Sequence, residues 1–435
     1  MTSQQFQKQN KEQKPDSSGQ ETNILGVVQQ RTGQASRVTA FDRWLLDKML
    51  GFIGRPPFIV SLWNGVEYEP EAGAVAHLKI YDRGALYQLL VNPELHFGDL
   101  YSVGRVDVDG EFLECLETTY RHLAESRDDS LRRTFIKRWM HRPRGHSLSA
   151  SRDNIYHHYD ISNKFYELWL DKETMQYTCA YFPDPDLTLE QAQVAKLHHV
   201  CRKLQLKPGD KVVEAGCGWG SLARFMAKHY GVTVTAYNIS HEQLVYARSR
   251  ALHDGLADKI NYIEDDYRNI NGEYDVFVSV GMLEHIGHRN HKTLGKVIDR
   301  CLKPDGRGLV HSIGRNSPGM MNAWIERRIF PGANPPSLGQ MADIFEPYDF
   351  SIQDVENLRL HYAKTLSHWW ERFEANVDSV RKDFDESFCR AWRLYLVGSM
   401  AAFTTGELQL FQVVFTRADN NALPWSRAHL YPPED

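Results

Sequence analysis

The chain contains no run approaching the roughly 18 unbroken apolar residues that a bilayer-crossing helix needs, so no membrane span is expected. Cysteine is sparse. The six thiols (Cys115, Cys179, Cys201, Cys217, Cys301 and Cys389) are scattered without a CxxC pair. That spacing argues against a zinc site or a disulfide framework and fits thiols kept reduced in a cytoplasmic setting. Basic residues are not in excess: 51 Lys+Arg against 56 Asp+Glu gives a net charge of −5. A protein that coats nucleic acid through overall charge is therefore not expected. There is no internal repeat, and the first 35 or so residues lack the apolar core of a secretory signal. What is present is ordinary globular composition, 42% hydrophobic and 25% charged. Its 435 residues exceed one typical domain.

The leader, residues 1–35, is rich in Gln, Ser and Lys with few apolar anchors. It cannot bury enough surface to offset its ordering entropy and is expected to be disordered. From Phe41 to Phe52, Phe41, Leu45 and Met49 recur at helical spacing and predict an amphipathic helix. PFIVSLWNG and AVAHLKIYD read as strands and ALYQLLVNP as a helix. Together they predict a small mixed α/β domain over 36–115. Residues 116–152 predict a basic helical linker, in which Arg132, Arg133, Lys137, Arg138, Arg142, Arg144 and Arg152 crowd among Phe135, Ile136, Trp139 and Met140. A solvated linker and a contact with an anionic membrane surface are equally good readings of it.

From about residue 153 to 420 the pattern is α/β. KVVEAG, VTVTAYN, INYIED, YDVFVSVG and RGLVHSIG read as strands separated by helices, which predicts a mostly parallel, doubly wound sheet. Beyond about 315 lies an insertion-like helical stretch. LQLFQVVFTR predicts a last strand that returns to the sheet, and 421–435 reads as a tail. The sharpest motif is Glu214-Ala-Gly216-Cys217-Gly218-Trp-Gly220 between a strand and a helix, where glycines let the backbone turn tightly and approach a ligand. Its spacing is E-x-G-x-G-x-G. The next strand ends in Tyr237-Asn238-Ile239-Ser240, without the acid expected about 20 residues on to hold a dinucleotide ribose. An adenosyl sulfonium has no phosphates, and its positive charge suits Glu214, so S-adenosylmethionine is favoured over a dinucleotide. Asp265-Asp266-Tyr267 and Gly281-Met-Leu-Glu284-His285 each follow a strand at the same carboxyl edge.

Four strings in order, Gln176-Tyr177-Thr178-Cys179-Ala-Tyr181-Phe182, Glu214–Gly220, Ser279–His285 and His311-Ser-Ile313-Gly, resemble the cyclopropane fatty-acyl-phospholipid synthases and the related mycolic acid cyclopropane synthases. The likeness is dense over about 150–417. GDLYSVGRVDVDGEFLECLE resembles, more loosely, the small lipid-associated domain of the phospholipid-acting members. The resemblance implies a Rossmann-like class I methyltransferase fold. It also implies transfer of a methylene group from S-adenosylmethionine to a cis double bond of an acyl chain in a membrane phospholipid. A carbocation would form, lose a proton from the added methyl to a bound bicarbonate, and close to a cyclopropane ring. The resemblance places bicarbonate with Cys179, Glu284, His311, the backbone of Ile313, and Tyr395. It places the cofactor with Tyr177, Thr178, Glu214, Gly216, Cys217, Gly218, Gly220, Asn238, Gln243, Asp266, Tyr267 and Arg268. It further implies a peripheral association with the inner face of the membrane, the phospholipid bilayer being the partner. Nothing in the sequence decides between a monomer and a homodimer.

The chemistry of the residues agrees. A poor alkene nucleophile gains from a site that stabilises positive charge and excludes water. Tyr177, Tyr181, Phe182, Trp324, Trp369 and Trp370 are candidates through the negative faces of their rings. Glu284 and His311, at strand ends, could hold the bicarbonate or take its proton. His285, His288 and His291 have a metal-like spacing, but no metal is expected. His157-His158 reads as a cofactor-lid or substrate-entry segment. Three positions depart from the family: Ser399 and Phe411 stand where relatives carry cysteines, and Asn238 stands for a Thr or Ser. Because the chemistry needs no covalent enzyme intermediate, activity is expected to survive Ser399 and Phe411, and because Asn still donates and accepts hydrogen bonds, cofactor binding is expected to survive Asn238. The alternatives are a methyl-branched or exo-methylene product, or an inactive lipid-binding relative.

Overall fold

A computed structural model describes residues 37–70, 73–125 and 163–431. The leader, the cationic cluster Arg132–Arg152 and the pair His157-His158 lie outside the described residues. The described residues belong to two compact units that do not follow chain order. The first comprises the chain up to Pro143 together with Asn322–Ile329 and Trp370–Thr405. The second comprises Arg144–Met321, Phe330–Trp369 and the chain from Gly406.

In the first unit, β1 (Phe58–Leu62), β2 (Glu67–Tyr68), β3 (Ala76–Ile80) and β4 (Val106–Asp109) form one sheet in the order β2-β1-β3-β4. β1 and β3 run parallel and the outer pairs antiparallel. The helix Ala40–Phe52 forms where the spacing predicts, but its buried side is Asp42, Leu46, Met49 and Leu50, and Phe41 is 57% exposed. The cause is Asp42. Its carboxylate closes a capping box with Thr39 and accepts from the Arg83 guanidinium at 2.9 and 2.8 Å, which turns this edge of the helix inward. The helix Glu386–Thr404, which the sequence pattern groups with 153–420, falls in this unit. It buries Phe388, Trp392 and Leu396, and Arg390 donates to the Tyr101 carbonyl at 2.6 Å while lying over its ring.

In the second unit, β5 (Lys211–Ala215), β6 (Thr233–Asn238), β7 (Ile260–Glu264), β8 (Tyr274–Val280), β9 (Leu302–Gly314), β10 (Phe350–Asn357) and β11 (Gln409–Arg417) form one sheet. Their order is β10-β11-β9-β8-β5-β6-β7. The five strands β5 to β9 are parallel; β10 and β11 close one side antiparallel. Successive residues of β5 and β8 enter opposite cores: Val212, Val276 and Val278 pack on one face, Val213, Ala215 and Phe277 on the other. Helices therefore cover both faces, and the unbroken apolar runs of these strands follow. The fold is Rossmann-like and doubly wound, with its order reversing at β5, where β6 lies on one side and β8 on the other. In such sheets ligands bind outside the carboxyl ends at that reversal. β11 is the returning strand expected from LQLFQVVFTR. β10 was not legible: FSIQDVEN is polar, lies at the sheet edge and carries an irregularity between Ile352 and Asp354.

Candidate active site

The turn after β5 places three glycines in the left-handed region, with φ of +85° at Gly216, +51° at Gly218 and +72° at Gly220. The N–H groups of Gly216 and Cys217 both donate to the Tyr237 carbonyl, at 3.0 and 3.1 Å, which pins the turn to the end of β6. The glycines serve different purposes. A Cβ at Gly220 would sit 2.4 Å from the Tyr262 hydroxyl, so this position is required for packing. A Cβ at Gly218 would meet nothing within 4 Å, because that side opens into a cavity.

The cavity lies along the carboxyl edge of β5, β6, β7 and β8. Tyr177, Thr178, Glu214, Gly216, Cys217, Gly218, Asn238, Gln243, Asp266, Tyr267 and Arg268 all line it. Of the cofactor residues the resemblance implies, Gly220 alone does not. Asn238, in place of a hydroxyl residue, donates to the Gly218 carbonyl at 3.2 Å and to Gln243 Oε1 at 2.8 Å, so it ties the glycine turn to the next helix. Asp266 accepts from the backbone and guanidinium of Arg268, at 2.9 and 2.7 Å. That holds the arginine above the Tyr267 ring.

Glu214 is the most deeply buried carboxyl lining the cavity. Its carboxyl is buried, its Oε2 has no hydrogen-bond partner among the described residues, and burial pushes its pKa up to about 8. An unpartnered buried carboxylate oxygen is costly unless a ligand completes it. Together with the open side of Gly218, it fits a cationic, phosphate-free ligand.

The sequence reading missed the residues behind this wall. The helix Leu189–Lys203 buries Gln193, Lys196, His199 and Lys203 along one stripe. Gln193 donates to the Thr178 carbonyl at 2.9 Å. Lys196 Nζ donates to Thr178 Oγ1 at 2.8 Å and to Gln176 Oε1. Burial pulls the Lys196 ammonium down to about 8, opposed by Asp171, Cys179 and Glu214. The signal was available: four polar residues three or four apart on an otherwise apolar helix face.

None of the residues expected to hold bicarbonate lines this cavity. Glu284 stands in the short helix Leu283–Ile286 after β8, not at a strand end, and its neighbours Met282, His285 and Ile286 do line it. Its Oε1 accepts from the Ile313 N–H at 2.6 Å, its Oε2 has no partner among the described residues, and burial raises its pKa to about 7. The structure thus brings Glu284 and Ile313 together, with the Ile313 N–H already engaged. His311 lies on β9, buried, with Nδ1 3.0 Å from Gln412 Nε2. Cys179 is buried with Sγ 3.1 Å from the Ala180 carbonyl, and burial raises its thiol far above its ordinary value. Tyr395 belongs to the first unit, buried and edge-on to Trp392.

The aromatic candidates separate. Tyr177 lines the cavity and packs against Trp169 and Trp369, each at 5.3 Å. Tyr181 stacks on His199, and Phe182 lies against His368. Trp324 and Trp370 belong to the first unit. Of the three histidines with metal-like spacing, His285 lines the cavity, His288 faces Asp343 and His291 binds the Gln340 carbonyl. Among the described residues no group of three or more His, Cys, Asp or Glu could hold a metal ion, and no helix is long and apolar enough to cross a membrane.

A mostly parallel doubly wound sheet, with an E-x-G-x-G-x-G turn and a buried carboxyl in a cavity at its open edge, is the architecture of S-adenosylmethionine-dependent methyltransferases. Comparison with known proteins narrows the class. The chain belongs to the mycolic acid cyclopropane synthetase family, whose pattern matches residues 146–413. It is 34% identical over 389 residues, 86% of this chain and 96% of the relative, to a Pseudomonas putida protein named as a probable fatty acid methyltransferase. It is 42% identical over 271 residues, 62% of this chain and 69% of the relative, to the cyclopropane-fatty-acyl-phospholipid synthase of Escherichia coli K12. The mycolic acid cyclopropane synthase CmaA1, solved with SAH and CTAB, superposes over 61% of this chain and 98% of its own. That match has a TM-score of 0.58 at 28% identity.

Proposed function

We propose that the enzyme alkylates the cis double bond of unsaturated acyl chains in membrane phospholipids and closes a cyclopropane ring. S-adenosylmethionine, when bound, supplies an electrophilic methyl group. The residues of the cavity have distinct tasks. The glycine turn lets the donor approach the protein backbone closely, with no side chain at Gly218 in the way. Glu214 completes its unpartnered oxygen with the positive charge of the donor. Thr178, held by Gln193 and Lys196, fixes the adjoining wall. The observation that carries the reading is Tyr177, whose ring lines the cavity while Trp169 and Trp369 lock it from behind. A fixed aromatic face there favours the positive charge that passes from sulfur to the acyl chain.

Methyl addition to the alkene leaves a carbocation. Loss of one proton from the added methyl supplies the electron pair for the second carbon–carbon bond. A buried acceptor for that proton is required, and Glu284 suits it: at about 7 its carboxyl is poised to hold or release a proton near neutral pH. The unpartnered Glu284 Oε2 also fits an anion when that carboxyl is protonated. Bicarbonate held by Glu284 with Cys179, His311 and Ile313 would supply additional basicity; Tyr395 rests on the resemblance alone. The substrate places the enzyme at a bilayer surface, peripherally and on the cytoplasmic face, where the cationic stretch Arg132–Arg152 would meet anionic headgroups.

The name of the Pseudomonas putida relative favours a second reading, a methyl-branched product. One experiment tests both. Purified protein is incubated with vesicles of a cis-unsaturated phospholipid and methyl-labelled S-adenosylmethionine, and the lipids are examined by mass spectrometry and NMR. Labelled ring methylene is expected. A labelled methyl branch establishes the second reading, and unlabelled lipid overturns both.

A further inference from the structure

We infer that Lys203 and Gln412 are positioning residues that hold His311 as the neutral tautomer protonated on Nε2, so that His311 acts as a hydrogen-bond donor and not as the proton acceptor. The inference rests on the reading of His311 as a site residue.

It follows from a chain of four side chains in the second unit. Glu356 Oε2 is bound by His199 Nε2 at 2.7 Å and by Lys203 Nζ. Burial of Glu356 works against ionisation, but the hydrogen bond from His199 and the charge and hydrogen bond of Lys203 hold its pKa down to about 2. Glu356 is therefore a carboxylate; burial lowers the Lys203 pKa, and the charge and hydrogen bond of Glu356 oppose that shift and favour the ammonium. An ammonium has donors only. The amide oxygen of Gln412 must accordingly face Lys203, and it does, at 2.7 Å. The amide orientation is thus dictated by charge, independently of how similar the oxygen and nitrogen ends are in shape.

The other end of that amide is fixed in turn. Gln412 Nε2 carries only donors and lies 3.0 Å from His311 Nδ1, so Nδ1 must present a bare lone pair. The imidazolium form, protonated on both nitrogens, cannot accept this bond. Burial, reinforced by Lys196 and Lys203, holds the His311 pKa down to about 3. A neutral ring with a bare Nδ1 has its proton on Nε2. Gln412 pairs with His311 directly across β11 and β9, and both are buried, so neither can turn to water. The proton-accepting role consequently stays with Glu284 or with bicarbonate held beside it, and not with His311. His311 instead offers one N–H to an oxygen of a bound anion or substrate.

The test exchanges donor for acceptor at constant length. Gln412→Glu keeps an oxygen for Lys203 but turns the other end into an acceptor, so His311 Nδ1 must gain a proton. Full-length protein with 15N-labelled histidine is examined by long-range 1H–15N spectra, His311 being identified by its loss in His311→Asn. The wild type is expected to show protonated Nε2 and bare Nδ1. Gln412→Glu is expected to show a protonated Nδ1, with turnover roughly 10- to 100-fold lower, the range seen when the partner that orients a metal-bound histidine is lost, and KM for S-adenosylmethionine unchanged. Lys203→Met, which frees the amide to turn, is expected to give a mixture of tautomers and serves if the glutamate variant does not fold. A wild-type ring protonated on Nδ1 overturns the inference, as does a fall in turnover without a change of tautomer. The wild-type spectrum needs no substrate. A protein that yields no alkylated lipid but shows the expected tautomer overturns the proposed function and with it the use of His311 as a donor in the reaction, while the tautomer held by Gln412 and Lys203 stands.

Discussion

Replacing Glu284 by Gln separates the proton-transfer role from the cofactor cavity. The amide oxygen of Gln can still accept the 2.6 Å bond from the Ile313 N–H, so the local backbone keeps its anchor. The new NH2 group lies where Oε2 now has no partner, a cost of about 1–3 kcal/mol. Against this stands relief of a buried charge. The carboxyl pKa rises from 4.5 to about 7 on folding because burial disfavours the ionised form, equivalent to an upper bound of about 3 kcal/mol. The sign follows from linkage. Between those two values the folded state holds a proton that the unfolded chain has released, so Glu284 stabilises the fold below the lower value and that contribution is lost as pH rises through the upper. At pH 8 the two effects on the variant nearly cancel, and its melting temperature is expected to stay within a few degrees of the wild type. Turnover at pH 8 is expected to fall by about 100- to 10,000-fold, the usual share of a general base. Affinity for S-adenosylmethionine is expected to be unchanged, since Glu284 does not line the cavity. The wild type should lose turnover as pH falls below about 7, and the residual activity of the variant should not follow that limb. Thermal denaturation, calorimetry with the donor and a radiolabel transfer assay read the three quantities. Full turnover in a folded variant would remove Glu284 from the chemistry.

Other substitutions test other parts of the account. Gly218→Val should abolish donor binding by calorimetry, because its side chain enters the cavity; retained affinity would mean that the turn does not cradle the ligand. The left-handed backbone there (φ +51°) also strains a β-branched residue, so the melting temperature should fall by several degrees while the variant still folds by circular dichroism. Gly220→Ala should instead destabilise the fold by about 2–4 kcal/mol, from the approach to the Tyr262 hydroxyl and the left-handed backbone; an unchanged melting temperature would contradict the packing role. Lys196→Met should raise KM for S-adenosylmethionine at least about tenfold, because Thr178 and Gln176 lose a charged donor; an unaltered KM would leave the lysine a structural residue. Neutralising Arg132, Arg133, Lys137 and Arg138 together should weaken binding to anionic vesicles by about 100-fold or more, at about 1 kcal/mol per charge, and flatten its salt dependence. Vesicle binding that is indifferent to the change would reduce that stretch to a linker.

The central sheet was legible because its strands are buried on both faces. KVVEA and YDVFVSV read as apolar runs whatever helices cover them, and LQLFQVVFTR is equally unmistakable. The polar edge strand Phe350–Asn357 carries no such run, because only one side of it needs an apolar partner. The helix at Ala40–Phe52 was correctly placed but turned the wrong way. Spacing alone favoured Phe41, whereas the ion pair of Asp42 with Arg83, 41 residues distant in sequence, sets the rotation. The cavity wall was legible to the extent that its residues sit in strand-end motifs, as Glu214, Asn238 and Asp266 do. Gly220 has the same motif but serves packing, a distinction that depends on Tyr262, from β7. Lys196 and Lys203 shared a stripe of polar residues three or four apart that could have marked them, whereas Gln412 escaped notice because a single buried polar residue in an apolar strand looks like an outward-facing one until the fold shows what covers it.

Isothermal titration calorimetry of the full-length wild-type protein with S-adenosylmethionine and with its demethylated product reaches the central claim without depending on lipid, bicarbonate or turnover. One binding site per chain for each ligand, lost in Gly218→Val, is the expected result. A well-folded wild-type protein that gives no heat with either would contradict the account.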